Sequence, residues 1–217
     1  ADVPTAKVSA QRTAAGSSGY QSGFERRLEL KKPFGRSLIV FLDSEIALAE
    51  TAATPTKDFA GIQRTLRTPK GREALAAVVV RSAGRSVRRK DLTLGKIRAP
   101  RVGDAALELP VSVRFKSLQI YETILVFRLD RVLSTLISAA ARPVVAAETA
   151  KLAALVVSHV GEQLVPLPVG PPTITGTAQQ GQMLTATAGS WSNKPQLGYQ
   201  WQRCDAAGAG CTDIAGA

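Results

Sequence analysis

One histidine, His159, serves the whole of a 217-residue chain. That excludes a histidine-based metal cluster and any paired-histidine relay. A Ser-His-Asp set would have to use His159, and no Gly-x-Ser-x-Gly elbow accompanies it. His159 falls between Ser158 and Val160 in an apolar-periodic stretch, the ordinary setting of a histidine at a helix surface or core edge. Cysteine is nearly as scarce. Cys204 and Cys211 alone cannot complete a tetrahedral zinc site. Gly16, Gly19 and Gly23 lack the strand-turn-helix context and the Lys-Ser/Thr of a phosphate loop. The residues therefore assign no catalytic group, no metal and no cofactor. Glu108, Glu122 and Asp130 stand near predicted strands and keep an extracellular hydrolase, working on an exposed sheet face, as an alternative.

Aromatics make up 5% of the chain, and between Lys57 and Arg101 only Phe59 is aromatic. That disfavours nucleic acid, whose bases need stacking platforms. Long apolar runs are missing too. Ala74 to Val80 and Leu152 to Val157 are core-sized, well short of the roughly 18 residues that cross a bilayer.

Positive charge is what the chain has in excess. Its net charge is +11, and between Lys57 and Arg101 thirteen Lys or Arg face three acids, Asp58, Glu73 and Asp91. The last 47 residues carry Lys194, Arg203, Asp205 and Asp213, which cancel. The basicity thus belongs to one segment. Such a field attracts anionic wall polymers, lipid headgroups or nucleic acid. The densest run is Arg85-Ser-Val-Arg-Arg-Lys90, so Arg85, Arg88, Arg89 and Lys90 are the candidate anion-binding residues. The plain alternative is a solvated basic loop.

Residues 1–23 are rich in Ser, Ala, Gly and Thr and read as a flexible lead or a peripheral strand. From Phe24 to Glu50 the pattern suits a hairpin or an extended pair. Phe59, Ile62 and Leu66 fall at helical spacing, and Leu75, Val78 and Val79 resume it after Pro69-Lys70-Gly71. Two helices, or one kinked helix, follow from Pro55 to Arg81. Leu107, Leu109, Val111, Val113 and Phe115 alternate with Glu108, Pro110, Ser112, Arg114 and Lys116, the period of a strand with one wet face. Pro110 cannot donate to a ladder and belongs at an edge or bulge. Ile120 to Leu129 reads as a central strand, and Val132 to Ile137 returns beside it. Val144 to Leu164 carries the stripe of a closing helix, with Pro143 at its entry.

These elements predict an α+β domain over residues 24–165, a two-layer sandwich in which two or three helices pack one antiparallel sheet. A Pro-rich linker is expected over 166–172, then a truncated all-β segment over 173–217. The segments RVGDAALEL, TILVFRLDRVLSTLIS and ETAKLAALVVSHVGEQL resemble PsbP-like and mycobacterial lipoprotein-type extracytoplasmic domains. That resemblance implies secreted or envelope-anchored binding and accessory roles, with no shared catalytic residues. Pro171 to Ala217 resembles the first half of an actinobacterial-type immunoglobulin-like surface repeat. Its expected strands are Pro172 to Gly176, Gly181 to Ala188 and Gly198 to Arg203, with Tyr199 and Trp201 turned into the sandwich.

Cys204 and Cys211 close the short loop CDAAGAGC, where Gly208 and Gly210 supply the freedom of a tight ring. A disulfide there restricts the unfolded chain by roughly 2.5 kcal/mol in the loop-entropy view and points to an oxidising compartment. The opening Ala-Asp-Val-Pro suits a mature end left by signal peptidase. The expectation is an exported, cell-envelope or extracellular accessory protein without catalytic activity. Its partners would be an anionic envelope polymer, lipid headgroups or another surface protein, and its immunoglobulin-like segment a spacer or adhesion unit. Polyanion or nucleic-acid binding through residues 57–101 is a further alternative.

Overall fold

A computed structural model describes residues 6–13, 19–83, 87–164, 166–192 and 195–216. The chain divides into two compact units, Ala1–Gln163 and Leu164–Ala217.

The first unit is built on seven antiparallel strands: β1 (Ala6–Thr13), β2 (Tyr20–Phe34), β3 (Ile39–Ala49), β4 (Leu92–Leu94), β5 (Ala105–Phe115), β6 (Leu118–Leu129) and β7 (Val132–Ala140). Their order in space is β1-β2-β3-β7-β6-β5-β4. Helices α1 (Ala53–Arg67) and α2 (Pro69–Ser82) intervene between β3 and β4, and α3 (Ala146–Gln163) follows β7. The expected mixed architecture, a large antiparallel sheet with three helices, is what forms.

Of the two readings of residues 1–23, a flexible lead or a peripheral strand, the strand holds for Ala6–Thr13, which pairs with Leu30–Gly23 as the sheet border. A strand as long as β2 leaves backbone groups to be met on both sides, and β1 meets one row of them. Phe24 to Glu50 does form a hairpin. Leu38 takes a positive φ of 57° in its turn, and the N–H of Leu38 donates to the Gly35 carbonyl.

The two-layer expectation is also corrected, because helices cover both faces of the sheet. On one face Phe59, Leu66 and Ala76 of the helix pair pack on Leu107, Leu109, Val111, Val113 and Val126. On the other, Ala153 of α3 packs on Ala106, Leu125, Phe127 and Leu136. Ala106 to Leu109 are consequently four buried residues in a row. Each large apolar side chain so buried stabilises the fold by about 1.5–3 kcal/mol. The polar half of the β5 alternation is therefore not a wet face throughout: Glu108 is 1% exposed. Pro110 behaves as its chemistry demands. Its carbonyl accepts from the N–H of Gly95 just past the end of β4, so its nitrogen lies where the ladder is interrupted before it resumes at Arg98 and Glu108.

Helix α1 is fastened at its start by Tyr20, whose hydroxyl donates to Asp58 Oδ2 at 2.9 Å. Burial first, then this bond, push the Tyr20 phenol upward in pKa. At the other end Thr68 separates the two helices. Its extended backbone, φ −94° and ψ 145°, is the conformation that a following proline imposes. Thr68 Oγ1 accepts from the Gly71 N–H at 3.0 Å and caps α2, while Pro69 occupies the first helical position.

The second unit holds three two-stranded ribbons. β8 (Pro168–Gly170) pairs with β11 (Ser190–Trp191), β9 (Thr173–Gly176) with β10 (Leu184–Thr187), and β12 (Gln202–Arg203) with β13 (Thr212–Asp213). Part of the expected linker is thus strand, since residues 168–170 pair with Ser190 and Trp191. None of the described residues from 166 to 216 is buried. Tyr199, expected to enter a core, is 61% exposed, because so few strand residues meet that no interior closes over it. Cys204 and Cys211 form the expected disulfide.

Candidate anion-binding surface

The contiguous basic run does not present its arginines freely. Arg85 lies outside the described residues. Arg88 Nε bonds Asp91 Oδ2 at 3.2 Å, and its backbone N–H bonds the same oxygen at 3.1 Å. The backbone bond from Arg88 leads in holding the Asp91 carboxyl below its ordinary range. Arg89 forks onto Glu73 of α2, with Nη2 to Oε2 at 2.9 Å and Nε to Oε1 at 3.0 Å, and donates through Nη1 to the Leu92 carbonyl. The Arg89 hydrogen bond likewise lowers Glu73. Arg88 thus closes the turn on itself, and Arg89 fastens it to α2 and β4. Lys90 stands exposed beside them.

A different group of cations surrounds an open depression of about 400 Å³ where α1 ends, α2 begins and the chain leaves β4. Arg67, Arg72 and Lys96 line it, with Leu66, Leu94 and Ile97 as its apolar part. Arg67 and Lys96 are exposed; Arg72 is half-buried. Arg72 Nη2 donates to the carbonyls of Leu94 at 2.9 Å and Gly95 at 2.8 Å, which joins α2 to the strand end. Exposed Arg64, Lys70 and Arg98 belong to the same elements or the same connection.

The sequence missed this place because it is assembled from two stretches more than twenty residues apart, 66–72 and 94–97. The one local signal was Thr-Pro-x-Gly at 68–71, which sets the elbow. Gly71 is buried there, and a Cβ on it would collide with the Thr65 carbonyl.

The three candidate acids are not brought together. Glu122 pairs with Val111 and shares the α1–α2 face of the sheet. Glu108 pairs with Leu125 and lies on the α3 face. Asp130 sits in the β6–β7 turn at φ 48°, and its N–H donates to Asp104 Oδ2. Burial raises the Glu108 carboxyl against the opposing pull of Arg98, whose Nη1 is 3.7 Å away. Burial alone raises Glu122. The side chain of His159 lies outside the described residues. Among the described residues no group of three or more His, Cys, Asp or Glu gathers as a metal site, and no helix is long and apolar enough to cross a membrane.

Comparison with protein families, with curated proteins and with solved structures finds no match.

Proposed function

We propose that the chain is an exported, cell-envelope or extracellular binding module that holds an anionic polymer on the first unit. The observation that carries this reading is the gathering of Arg64, Arg67, Lys70, Arg72 and Lys96 at the helix elbow and beside it. Cations that converge on one surface raise the local concentration of a polyanion and speed its capture. The second unit serves as a spacer or adhesion segment of the immunoglobulin-like kind. The disulfide supports export, since such bonds persist in oxidising compartments.

Retention of the purified chain on immobilised polyphosphate tests the proposal. Elution should move to lower salt when Arg64, Arg67, Lys70 and Lys96 are all replaced by Ala, because exposed charges act through a screened field. Wild-type chain that passes through at physiological ionic strength would refute it.

A further inference from the structure

We infer that the depression at the α1–α2 elbow is a phosphate site, and that a phosphodiester-linked polymer enters it by its backbone phosphates. This rests on the polyanion reading and narrows it to one place and one chemical group.

Arg72 is the centre of the argument. Its guanidinium is planar and carries five N–H donors. Nη2 is engaged by the carbonyls of Leu94 and Gly95, and those two bonds fix the plane. The three donors on Nε and Nη1 meet no partner among the described residues. A held, half-buried guanidinium with unused donors at a cavity wall is pre-organised for an oxyanion, so little ordering cost falls on binding. Arg67 and Lys96 stand exposed at the same depression and supply further positive charge. No carboxylate lines it among the described residues. The arginines of the 88–90 run differ in just this respect, because Asp91 and Glu73 already occupy them.

The shape selects the kind of anion. A broad, open depression of about 400 Å³ suits one unit of a chain lying across it better than an enclosed small molecule. Leu66, Leu94 and Ile97 match the C–H surface of a polyol or sugar between phosphates. A base-reading surface would need aromatic platforms, yet Phe59, the sole aromatic between 57 and 101, is 7% exposed. A bilayer-docking surface would carry exposed apolar side chains. Among the described residues of 53–101, Val78 alone of the large apolar side chains stands exposed.

The full chain should be titrated with inorganic phosphate by amide NMR, then with a soluble poly(glycerol phosphate) by calorimetry. Saturable shifts are expected at Gly71, Arg72, Gly95 and Lys96. Arg67→Ala with Lys96→Ala should weaken polymer binding about tenfold or more, the loss of two charge-assisted contacts. Lys31→Ala with Lys32→Ala removes equal charge from β2 and should weaken it about threefold at most, the scale of a screened, distant field. Arg72→Lys keeps the charge but gives up the fork on Leu94 and Gly95, so it should lose affinity and some stability together, with binding compared at a temperature where both chains are folded. Equal weakening by the two double variants overturns the site and leaves the polyanion reading standing. Absence of any polyanion binding by wild type removes both. Polyglutamate bound as tightly as the phosphate polymer overturns the choice of phosphate. Tighter binding to phosphatidylglycerol vesicles than to soluble polymer overturns the inference in favour of a membrane.

Discussion

Glu148, in the first turn of α3, accepts hydrogen bonds from the backbone N–H of Ser37, 111 positions earlier in the chain. The N–H of Arg36 donates to the same carboxylate. Ser37 is 1% exposed, and its hydroxyl donates to the Pro143 carbonyl and accepts from the N–H of Val145. The β2–β3 turn and the start of α3 are thereby fixed to one another. Ser37→Ala leaves the Val145 N–H without its acceptor and should lower stability by about 1–3 kcal/mol. Denaturant unfolding measures it, and a loss near zero would contradict the tie.

Glu148 gives the same contact a pH dependence. Desolvation works to raise its carboxyl, but the bonds from Ser37 and Arg36 outweigh it and hold the group low. The folded state therefore favours the ionised form. Its contribution is complete above the unfolded value of about 4.3 and is lost as pH falls through the lower folded value. Glu148→Gln should melt below wild type at neutral pH, and the gap should close under strong acid. A gap constant down to acid would show that ionisation plays no part.

Glu122 behaves in the opposite sense. Burial raises its carboxyl, so the folded state favours the protonated form. The charged form costs stability fully above the folded pKa and not at all below the unfolded one. Glu122→Gln should melt above wild type at neutral pH, with no difference at strongly acid pH. A lower neutral melting temperature would mean that the carboxylate has a partner.

Gly71→Ala strikes the elbow. The added Cβ meets the Thr65 carbonyl, a backbone atom that cannot swing aside. A loss of about 3 kcal/mol, the upper part of the overpacking range, is expected in unfolding experiments. Phosphate binding at the depression should fall with it. An Ala variant of unchanged stability would mean that the helices part freely.

In the second unit Asp205 supports the loop that the disulfide closes. Its Oδ1 accepts from the N–H groups of Ala207 at 2.9 Å and Ala209 at 2.8 Å. Reduction should speed amide exchange at Gln202 and Asp213 while Ala207 and Ala209 stay protected. Asp205→Ala in the reduced chain should release them as well. Exchange at Gln202 that ignores reduction would show the ribbon independent of the bridge.

The helix pair, the β5 alternation and the returning strands were legible because each rests on local periodicity or on a proline. What was not legible depends on where an element lands. The period of two from Leu107 to Phe115 marks two faces but not what covers the second, so Glu108 read as solvated until α3 closed that side. For Ala6–Thr13 the sequence left a flexible lead and a peripheral strand both open, and the open side of β2 decides for the strand. Contiguity misled for charge. Arg88 and Arg89 stand together in sequence, yet each finds an acid, at Asp91 and at Glu73. Arg67, Arg72 and Lys96 line one depression only once the elbow has turned.

Pro110 has an effect beyond its own strand. Its ring removes a rung where β4 ends, and β4 spans only Leu92–Leu94, too short to template a newcomer. Strand addition to the first unit, whether by a neighbouring molecule or in an aggregate, is disfavoured on that flank and easier on the one formed by Ala6–Thr13. Within the first unit, backbone pairing between molecules would therefore run through the border strand Ala6–Thr13.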